Sequence, residues 1–495
     1  SPSNPATGPS CCTTATRWRR LLPDVMTADH ESRLEHIARS LDRLTRTGER
    51  PRIYRGGTNS TRGPDEGQQA AVDLRGLDRV LAIEAESRQA VVEPNVSMRQ
   101  LVTETIRHGL VPPVVMEFPE ITVGGGIAGG AGESSSFRYG LFHNTVRECE
   151  LVLGDGRITR ASEDVNPELF EALPGSLGTL GVLTATRVEL IPAQPFVELT
   201  YRRVGTYGEA LETLAQACLG AAGDQDGRVD FCDAIMYEPS FGVVMTGRLA
   251  DRAEGPVRRF SRAPNEWLYL HARHLGHARA QSIEYVPLVD YLFRYDRGAF
   301  WAGRFAFRVL RLPFVRPLRF LLDGILDTHT LYAALHASGF SYRYLVQDVC
   351  LPRGNAEAFL SWVDGHLGIR PLWLWPIRPD RNAWLSPAHI DTDLVVDVGV
   401  WGVPRGDFLR ANRAIEEKAL ELDGRKMLYA HVYRPEEEFW SVYDQGRYNA
   451  LRCAYRAEEA FPSLYEKVRT DPPGQRGPSV IRGGCGILRD RLSRA

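Results

Sequence analysis

The sequence has almost no net charge and no long apolar run. Its 60 basic and 62 acidic side chains leave a formal charge of −2 at pH 7. A surface without a basic excess offers nucleic acid little attraction, so we expect no nucleic-acid partner. No stretch reaches the roughly 18 apolar residues that span a bilayer, and the sequence predicts no transmembrane helix. These absences favour a cytoplasmic protein that approaches lipid only by peripheral contact with a membrane.

The cysteines show neither pairing nor the spacing of a metal site. None of the eight belongs to a C-x-x-C pair, and no histidine stands at zinc-site spacing. This scatter is typical of free thiols in a reducing compartment, and it predicts no bound metal. The eight are Cys11, Cys12, Cys149, Cys218, Cys232, Cys350, Cys453 and Cys485.

Glycine, in contrast, is concentrated in one stretch. Residues 121–145 read ITVGGGIAGGAGESSSFRYGLFHNT, and the glycines are followed by small hydroxyl side chains. Without a Cβ the backbone can approach a ligand closely, and its N–H groups can face a phosphate or a flat ring. The candidates are Gly124, Gly125, Ser134, Ser135 and Gly140.

The same stretch contains a G-x-G-x-x-G pattern from Gly124 through Gly126 to Gly129. As a dinucleotide-binding fingerprint this pattern must open a helix within a βαβ unit. Because another glycine and a run of serines follow Gly129, we expect no helix here and disfavour that fold. A flexible glycine loop without a ligand is the second alternative.

Two further glycine turns precede residue 200. The first lies in RGGTNSTR and supplies Gly56, Gly57, Thr58, Asn59 and Ser60. The other lies in PGSLGTLGVLTATRVELIP and supplies Gly178, Thr179, Gly181 and Val182. Three such turns, each beside a strand-like run, indicate one extended cofactor gripped at several points.

These motifs carry a family resemblance. The order RGGTNS, VVEPNVSMRQL, TVGGG, ESSSFRYGLF, ELVLGDG and LFEALPGSLGTLGVLTATRVELIP resembles the PCMH-type FAD-binding domain of the vanillyl-alcohol-oxidase superfamily. Later motifs, including EYVPLVDY, VQDVCLP, PLWLWP, VVDVGVWGVP and EEFWSVYD, are similar to the Δ24-sterol reductase branch. The resemblance extends from about Pro51 to Val468.

The resemblance implies an α+β protein of two domains: an FAD-binding domain, and a substrate domain with an antiparallel sheet covered by helices. We expect the domains at 27–195 and 196–440, followed by a segment at 441–470 that returns to the flavin. The Ser/Thr/Pro-rich residues 1–26 and the Pro- and Gly-rich residues 471–495 are expected to be mobile tails.

Periodicity adds individual elements. Leu34, Ile37, Leu41 and Leu44 recur at helical spacing and predict a helix over 28–47. A second helix is predicted over 97–108, with Ser97 as its N-cap and Gly109 as its stop. Alternating or apolar runs predict strands at 72–74, 80–83, 90–93 and 150–153, and later at 230–248, 345–351 and 394–400.

By resemblance, residues 56–60 and the glycine stretch at 121–145 hold the FAD diphosphate from opposite sides. Gly178, Thr179, Gly181 and Val182 approach the adenosine half. Many relatives attach the flavin covalently through a histidine in the first turn. Thr58 stands at that place here, so we expect non-covalent FAD. Tyr448 and Arg452, in YNALRCAY, resemble a C-terminal segment that contacts the isoalloxazine ring.

The implied reaction is reduction of a C=C bond in a sterol or terpenoid-like substrate, with NADPH as the electron donor. An isolated alkene has no carbonyl to polarise, so an acid must supply a proton. The residues leave that acid open among Tyr433, Glu284, Tyr285 and His431, with Asp348 as a further candidate. Trp373, Trp375 and Trp401 are expected to wall the substrate cavity.

Two other functions remain open. One is an FAD-linked oxidase or dehydrogenase of a natural-product intermediate. The other is a non-redox FAD-dependent cyclase or a flavin-holding binding protein.

Residues 300–326, FWAGRFAFRVLRLPFVRPLRFLLDGIL, combine bulky apolar side chains with Arg304, Arg308 and Arg311 at helical spacing. Such a segment can lie on an anionic membrane surface, with the arginine stems covering apolar ground. The alternative is a core helix with a solvated basic edge.

Overall fold

A computed structural model describes residues 24–55, 60–62, 71–220, 229–472, 478–485 and 487 of the chain. The predicted N-terminal tail therefore lies largely outside the described residues, and so do Cys11 and Cys12. The six remaining cysteines are free thiols, as predicted.

Seventeen strands are present in the described part of the chain. In order they are β1 (Arg52–Tyr54), β2 (Ala71–Asp73), β3 (Val80–Glu84), β4 (Gln89–Val92), β5 (Leu110–Val111), β6 (Val146–Val152), β7 (Ile158–Ser162), β8 (Val182–Glu189), β9 (Ile191–Pro192), β10 (Phe196–Val204), β11 (Phe231–Glu238), β12 (Phe241–Ala250), β13 (Gln281–Pro287), β14 (Leu345–Pro352), β15 (Leu372–Ile377), β16 (Val395–Gly402) and β17 (Arg425–Lys426).

The described α-helices are α1 (Asp24–Arg46), α2 (Met98–Ile106), α3 (Val123–Gly129), α4 (Ser136–Tyr139), α5 (Pro167–Ala172), α6 (Tyr207–Leu219), α7 (Leu268–Ala278), α8 (Leu288–Leu292), α9 (Ala302–Val309), α10 (Arg316–Leu322), α11 (Thr328–Ser338), α12 (Arg353–Trp362), α13 (Phe408–Glu421), α14 (Glu436–Trp440), α15 (Gln445–Ala454), α16 (Ala457–Ala460) and α17 (Leu464–Val468). Shorter helical turns occupy Phe142–Thr145, Asp323–Ile325, Phe340–Tyr342 and Val363–Leu367. None of these helices is long and apolar enough to cross a bilayer.

The strands form two main antiparallel sheets. The first has the order β3-β4-β8-β6-β7, and β1 and β2 form a separate parallel pair. The second has eight strands in the order β13-β10-β12-β11-β15-β16-β14-β17. Its central strands are buried along almost their whole length because both faces are covered. On one face lie α6, α12 and α13, and the other face joins the core of the first sheet.

Helix α1 confirms the predicted N-terminal helix. Leu34, Ile37, Leu41 and Leu44 are buried and pack in one apolar cluster with β6, β8 and α16. The predicted helix with Ser97 as N-cap is also confirmed as α2, since the Ser97 hydroxyl accepts a hydrogen bond from the Gln100 N–H.

A buried ion pair fixes α1 on the first sheet. His30 Nδ1 lies 2.7 Å from Glu93 Oε1, and Nε2 lies 3.1 Å from Glu150 Oε1. Burial alone would lower the pKa of His30, but the hydrogen bonds and charges of Glu150 and Glu93 outweigh burial and raise the pKa to about 9. His30 is therefore a cation at neutral pH.

The expectation that the central glycine stretch forms no helix is wrong. Helix α3 begins after Thr122, whose hydroxyl accepts a hydrogen bond from the Gly125 N–H, and it ends at Gly130 in the left-handed conformation. Gly126 packs so closely on Met116 that a Cβ would overlap with the methionine methyl group. Close packing thus holds glycines in a helix against their low propensity. The dinucleotide-binding fold is still excluded, because the sheet beside α3 is antiparallel.

Residues 300–326 do not form one helix with three arginines on a face. The segment is broken into α9 and α10 around Pro313, and Arg311 adopts a left-handed conformation between them with φ of 55°. Only Arg304 and Arg308 lie on α9. Proline lacks the N–H that a continuous helix needs, which explains the break.

Residues 480–485, within the predicted C-terminal tail, are helical and pack beside α11. The Ser479 N–H donates a hydrogen bond to the Ser338 carbonyl at 2.8 Å.

Candidate active site

A cavity of about 400 Å³ lies between α3 and the second sheet. Gly125 and Gly129 of α3 contribute to one wall, and Trp373, Trp375 and Trp401 contribute to another. The rings of Trp373 and Trp375 are stacked, with centroids 5.4 Å apart. All three tryptophans that were predicted to wall the substrate cavity line this cavity.

A narrower cleft of about 30 Å³ adjoins this cavity. The two spaces share part of their lining: Arg55, Asn95, Thr122, Gly125 and Ala128.

The cleft brings segments beside all three glycine turns together. Gly124 comes from the central stretch, Gly178 and Gly181 come from the third turn with Val182, and Arg55 directly precedes the first turn. This convergence is what an extended cofactor requires. The remaining predicted residues of the first turn lie outside the described residues: Gly56, Gly57, Thr58 and Asn59.

Some of the glycines around the cleft leave little room for a side chain. A Cβ on Gly124 would stand 2.7 Å from Pro94 Cβ, and one on Gly125 would stand 3.1 Å from Thr122 Oγ1. Gly178 has φ of 78°, a conformation that glycine adopts without strain. At Gly129, in contrast, no atom lies within 4 Å of the Cβ position. These glycines form a smooth wall that suits a flat ring with a phosphate-bearing tail.

Ser60 holds the end of the first turn at this site. Its hydroxyl donates to the Tyr429 carbonyl at 2.7 Å, and its own carbonyl lies 3.0 Å from His336 Nε2. Arg62 extends the attachment by donating to the Leu428 and Ala430 carbonyls. Ser60 and Arg62 both line the larger cavity.

Ser134, Ser135 and Gly140 are not among the described residues that line the cavity or its cleft. The Ser134 hydroxyl lies 3.2 Å from the Tyr291 hydroxyl, and the Ser135 hydroxyl donates to the Pro113 carbonyl. Gly140, with φ of 80°, turns the chain against Asn144. These residues support the glycine stretch without lining the cavity.

A buried charged network also supports the glycine stretch. Arg294 Nη2 lies 2.7 Å from Glu133 Oε1 and 3.0 Å from Asp233 Oδ2. Asp233 also accepts hydrogen bonds from the Tyr295 hydroxyl and the Trp373 indole. The glycine segment is thereby tied to the strands that carry the tryptophan wall.

Tyr448 and Arg452 fold back onto the FAD-binding part but do not line the described cavity. The Tyr448 hydroxyl lies 2.7 Å from Thr179 Oγ1, and Arg452 donates to the Thr179 carbonyl at 2.8 Å. Thr179 itself is fully buried. We conclude that the pair supports the third glycine turn from its outer side, because its hydrogen-bonding groups are used there.

A second cavity, of about 200 Å³, is almost entirely apolar. It lies among α9, α11 and the C-terminal helical residues, with Phe305, Leu335 and Val480 in its lining. Tyr332 and Trp401 line both cavities. The apolar cavity thus adjoins the glycine-walled cavity across two side chains.

The structure does not bring the four predicted acids to either of these cavities. Glu284 accepts a hydrogen bond from His271 at 2.7 Å, and Tyr285 donates to Glu198 at 2.7 Å, both on the edge strand β13. His431 and Tyr433 stack on each other at 5.8 Å. Burial and neighbouring cations lower the pKa of His431 to about 3, which leaves it neutral and unable to donate as an imidazolium near pH 7.

Asp348 does line the cavity, and both of its oxygens are engaged. Tyr429 donates to Oδ2 at 2.7 Å, and the Trp401 indole donates to Oδ1 at 3.0 Å. Burial raises the pKa of Asp348 to about 6, although the two hydrogen bonds oppose the rise.

Sequence reasoning missed Glu117 and Tyr332. Glu117 lines the cavity and is 8% exposed. Burial raises its pKa to about 8, and the charge of Glu133 adds to the rise. The available signal was a single carboxylate within PPVVMEFP, an otherwise apolar run bounded by prolines. Tyr332 carried no signal, because a tyrosine in an apolar helix is ordinary core.

Comparisons with known proteins agree with this geometry. A family model described as an FAD binding domain matches residues 32–162. The chain is 30% identical to Delta(24)-sterol reductase of Homo sapiens over 385 residues, which are 75% of this chain and 72% of that protein. It is 31% identical to Delta(24)-sterol reductase of Pisum sativum over 424 residues, 78% of this chain and 73% of that protein.

A more distant similarity joins the chain to decaprenylphosphoryl-beta-D-ribose oxidase of Mycolicibacterium smegmatis. That match is 29% identical over 247 residues, 49% of this chain and 53% of that protein.

Fold, cavity and family model together define an α+β flavoprotein with a PCMH-type FAD-binding domain, and FAD is its cofactor. Within this class, the chain belongs to the Delta(24)-sterol reductase family.

Proposed function

We propose that the chain reduces a carbon–carbon double bond of a sterol or terpenoid-like substrate, with NADPH as the electron donor. The observation that carries the proposal is the contact between the apolar cavity and the glycine-walled cavity through Tyr332 and Trp401. A hydrocarbon held in the first can present one end to the second. The names of the relatives from Homo sapiens and Pisum sativum supply the reaction class.

Bound FAD supplies hydride chemistry at such a site. The chain's own residues hold and shield it. We propose that Gly124, Gly125, Gly178 and Gly181 admit the cofactor backbone, together with residues 56–60. Trp373 and Trp375 form an aromatic wall that excludes water from the reacting end. We also propose that the FAD unit spans 27–195, the substrate unit 196–440 and the returning segment 441–470.

The apolar lining of the second cavity selects a hydrocarbon. Burial of apolar surface contributes roughly 25 cal/mol per Å², whereas a polar group placed there would lose its hydrogen bonds to water. Phe305, Leu335 and Val480 offer no such bonds in compensation. The cavity therefore favours an aliphatic chain over a hydroxylated one.

Anaerobic mixing tests the direction of the reaction. We expect NADPH to bleach the flavin absorbance of the purified protein, and a sterol with a Δ24 double bond to restore it. An oxidase or dehydrogenase would instead be bleached by substrate alone, an outcome that the similarity to the ribose oxidase makes worth measuring. Bleaching by neither compound would contradict both functions.

We further propose a cytoplasmic location with peripheral contact to an anionic membrane through 300–326. Leu310 and Val480 line the apolar cavity and are also 44% and 46% exposed. Leu321 and Ile481 beside them are exposed as well, at 75% and 80%. An apolar rim at the mouth of a lipid-binding cavity suits entry of substrate directly from a bilayer.

Cosedimentation tests the membrane contact. We expect binding to vesicles that contain phosphatidylserine, and weaker binding when Leu321 and Ile481 are both changed to Ser. Equal binding of wild type and the double variant would exclude this surface.

A further inference from the structure

Glu117 is a buried acid that faces the cavity. It lies between Pro113 and Pro119, on the segment that leads from β5 to α3, and it is 8% exposed. Its carboxyl group accepts a hydrogen bond from its own backbone N–H, and among the described residues no other side chain forms a hydrogen bond or an ion pair with it. Part of its hydrogen-bonding capacity is therefore available to whatever enters the cavity.

Asp348, the neighbouring carboxylate, accepts hydrogen bonds from side chains, whereas Glu117 does not. Asp348 accepts one hydrogen bond on each oxygen, from Tyr429 and from Trp401. A carboxylate that accepts two hydrogen bonds is stabilised in its charged form. Three acids line this cavity, and Glu120 is paired with Arg99. Of the other two, Glu117 is thus a better proton source than Asp348.

The charges around Glu117 favour its protonated form. Burial is the main cause of the raised pKa, and the negative charges of Glu133 and Asp348 act in the same direction, while the hydrogen bond from its own backbone N–H and the charge of Arg294 oppose them. Asp397 belongs to the same group of interacting carboxyls. With a pKa raised to about 8, the Glu117 carboxyl carries its proton at neutral pH.

Glu117 also lies near the junction of the two cavities. The ring of its neighbour Phe118 packs on Trp401, with centroids 6.0 Å apart. Trp401 is one of the two side chains that both cavities share. The other, Tyr332, interacts electrostatically with both Glu117 and Asp348. A hydrocarbon reaching from the apolar cavity would meet the Glu117 carboxyl at this junction.

We propose that Glu117 is the proton donor of the reduction, an inference that rests on the function proposed above. The Glu117 O–H bond breaks as a C–H bond forms at one alkene carbon, with the π electron pair supplying the new bond. The other carbon accepts the hydride of the reaction. The carboxylate regains its proton from water, so each alkene consumes one hydride and one proton.

Stopped-flow kinetics of Glu117→Gln separates this role from cofactor binding. Glutamine keeps the size and polarity of the side chain but has no acidic proton. We expect normal FAD content and normal bleaching by NADPH, but reoxidation by a Δ24-unsaturated sterol slowed by about 10²- to 10⁴-fold. Glu117→Asp should restore part of the rate, and Glu104→Gln on α2, a half-buried position outside the cavity lining, should react like wild type.

Infrared difference spectra give a second readout that needs no turnover. Wild type minus Glu117→Gln should show the carbonyl band of a protonated carboxyl at pH 6, and the band should disappear as the pH rises through about 8. Absence of the band at pH 6 would overturn the assignment. If Glu117→Gln is reoxidised at the wild-type rate, the assignment of Glu117 is wrong but the proposed function stands. If no alkene reoxidises the wild-type protein, the proposed function is wrong as well.

Discussion

Gly129 offers a substitution whose effects on folding and on FAD binding should have opposite signs. It is the last residue of α3, it lines the glycine-walled cavity, and no atom lies within 4 Å of its Cβ position. A methyl group there would have room, and because Gly129 lines the cavity we expect a larger side chain to enter it. We therefore expect Gly129→Ala to stabilise the FAD-free protein by up to about 1 kcal/mol, because alanine favours the helix.

Gly129→Leu should keep that stability and weaken FAD binding. Forcing a larger group into an occupied site costs about 1 to 3 kcal/mol, which corresponds to a Kd raised by roughly 5- to 150-fold. Thermal melting of the FAD-free protein and fluorescence titration with FAD measure the two effects separately.

Gly354→Ala is the matched control. Gly354 is an exposed glycine of α12 that likewise has no atom within 4 Å of its Cβ position, but it is remote from the cavity lining. It should gain helix stability and leave the Kd for FAD unchanged. If Gly129→Leu binds FAD as tightly as wild type, the cofactor does not occupy this wall and the site is misassigned.

Three further outcomes are expected. Because the pKa of His30 is raised to about 9 in the folded state, its contribution of at most about 3 kcal/mol is fully present below pH 6.5 and is lost as the pH rises to about 9. Urea unfolding of His30→Gln should lack this decline, whereas His36→Gln, at an exposed position of the same helix, should retain it. Tyr448→Phe removes the hydrogen bond to Thr179 and should lower the free energy of unfolding by about 0.5 to 1.5 kcal/mol, with FAD still bound. Ala306→Phe places a ring in the apolar cavity; the KM for a Δ24-unsaturated sterol should rise while flavin bleaching by NADPH is unaffected, and an unchanged KM would exclude this cavity as the substrate site.

Helix α1 and the shared role of the glycine turns could be predicted from the sequence pattern alone. The spacing of Leu34, Ile37, Leu41 and Leu44 specifies one buried face, and a single buried face defines a surface helix. The turns predicted a shared cofactor because their composition has few other uses. The helical state of 123–129 escaped prediction, since it depends on contacts of Gly124 with Pro94 and of Gly126 with Met116.

The sequence pattern could not predict the contacts of Tyr448 and Arg452 or the surroundings of the candidate acids. The resemblance predicts that the C-terminal segment contacts the flavin ring, whereas in the structure Tyr448 and Arg452 form hydrogen bonds with Thr179 of the third glycine turn. Similarly, Glu284 and His431 are ordinary acid candidates by type, and only their partners show that both are committed elsewhere.

The sequence by itself determined the family, the cofactor and the α+β class with an antiparallel sheet in the substrate domain, because the order of its motifs can be recognised without knowledge of distant neighbours. Tertiary structure alone decided which carboxyl group faces the cavity. Glu117 and Asp348 are 231 positions apart, and their protonation depends on burial and on charges contributed by separate elements. A pKa is a property of the surroundings, which no short stretch of sequence contains.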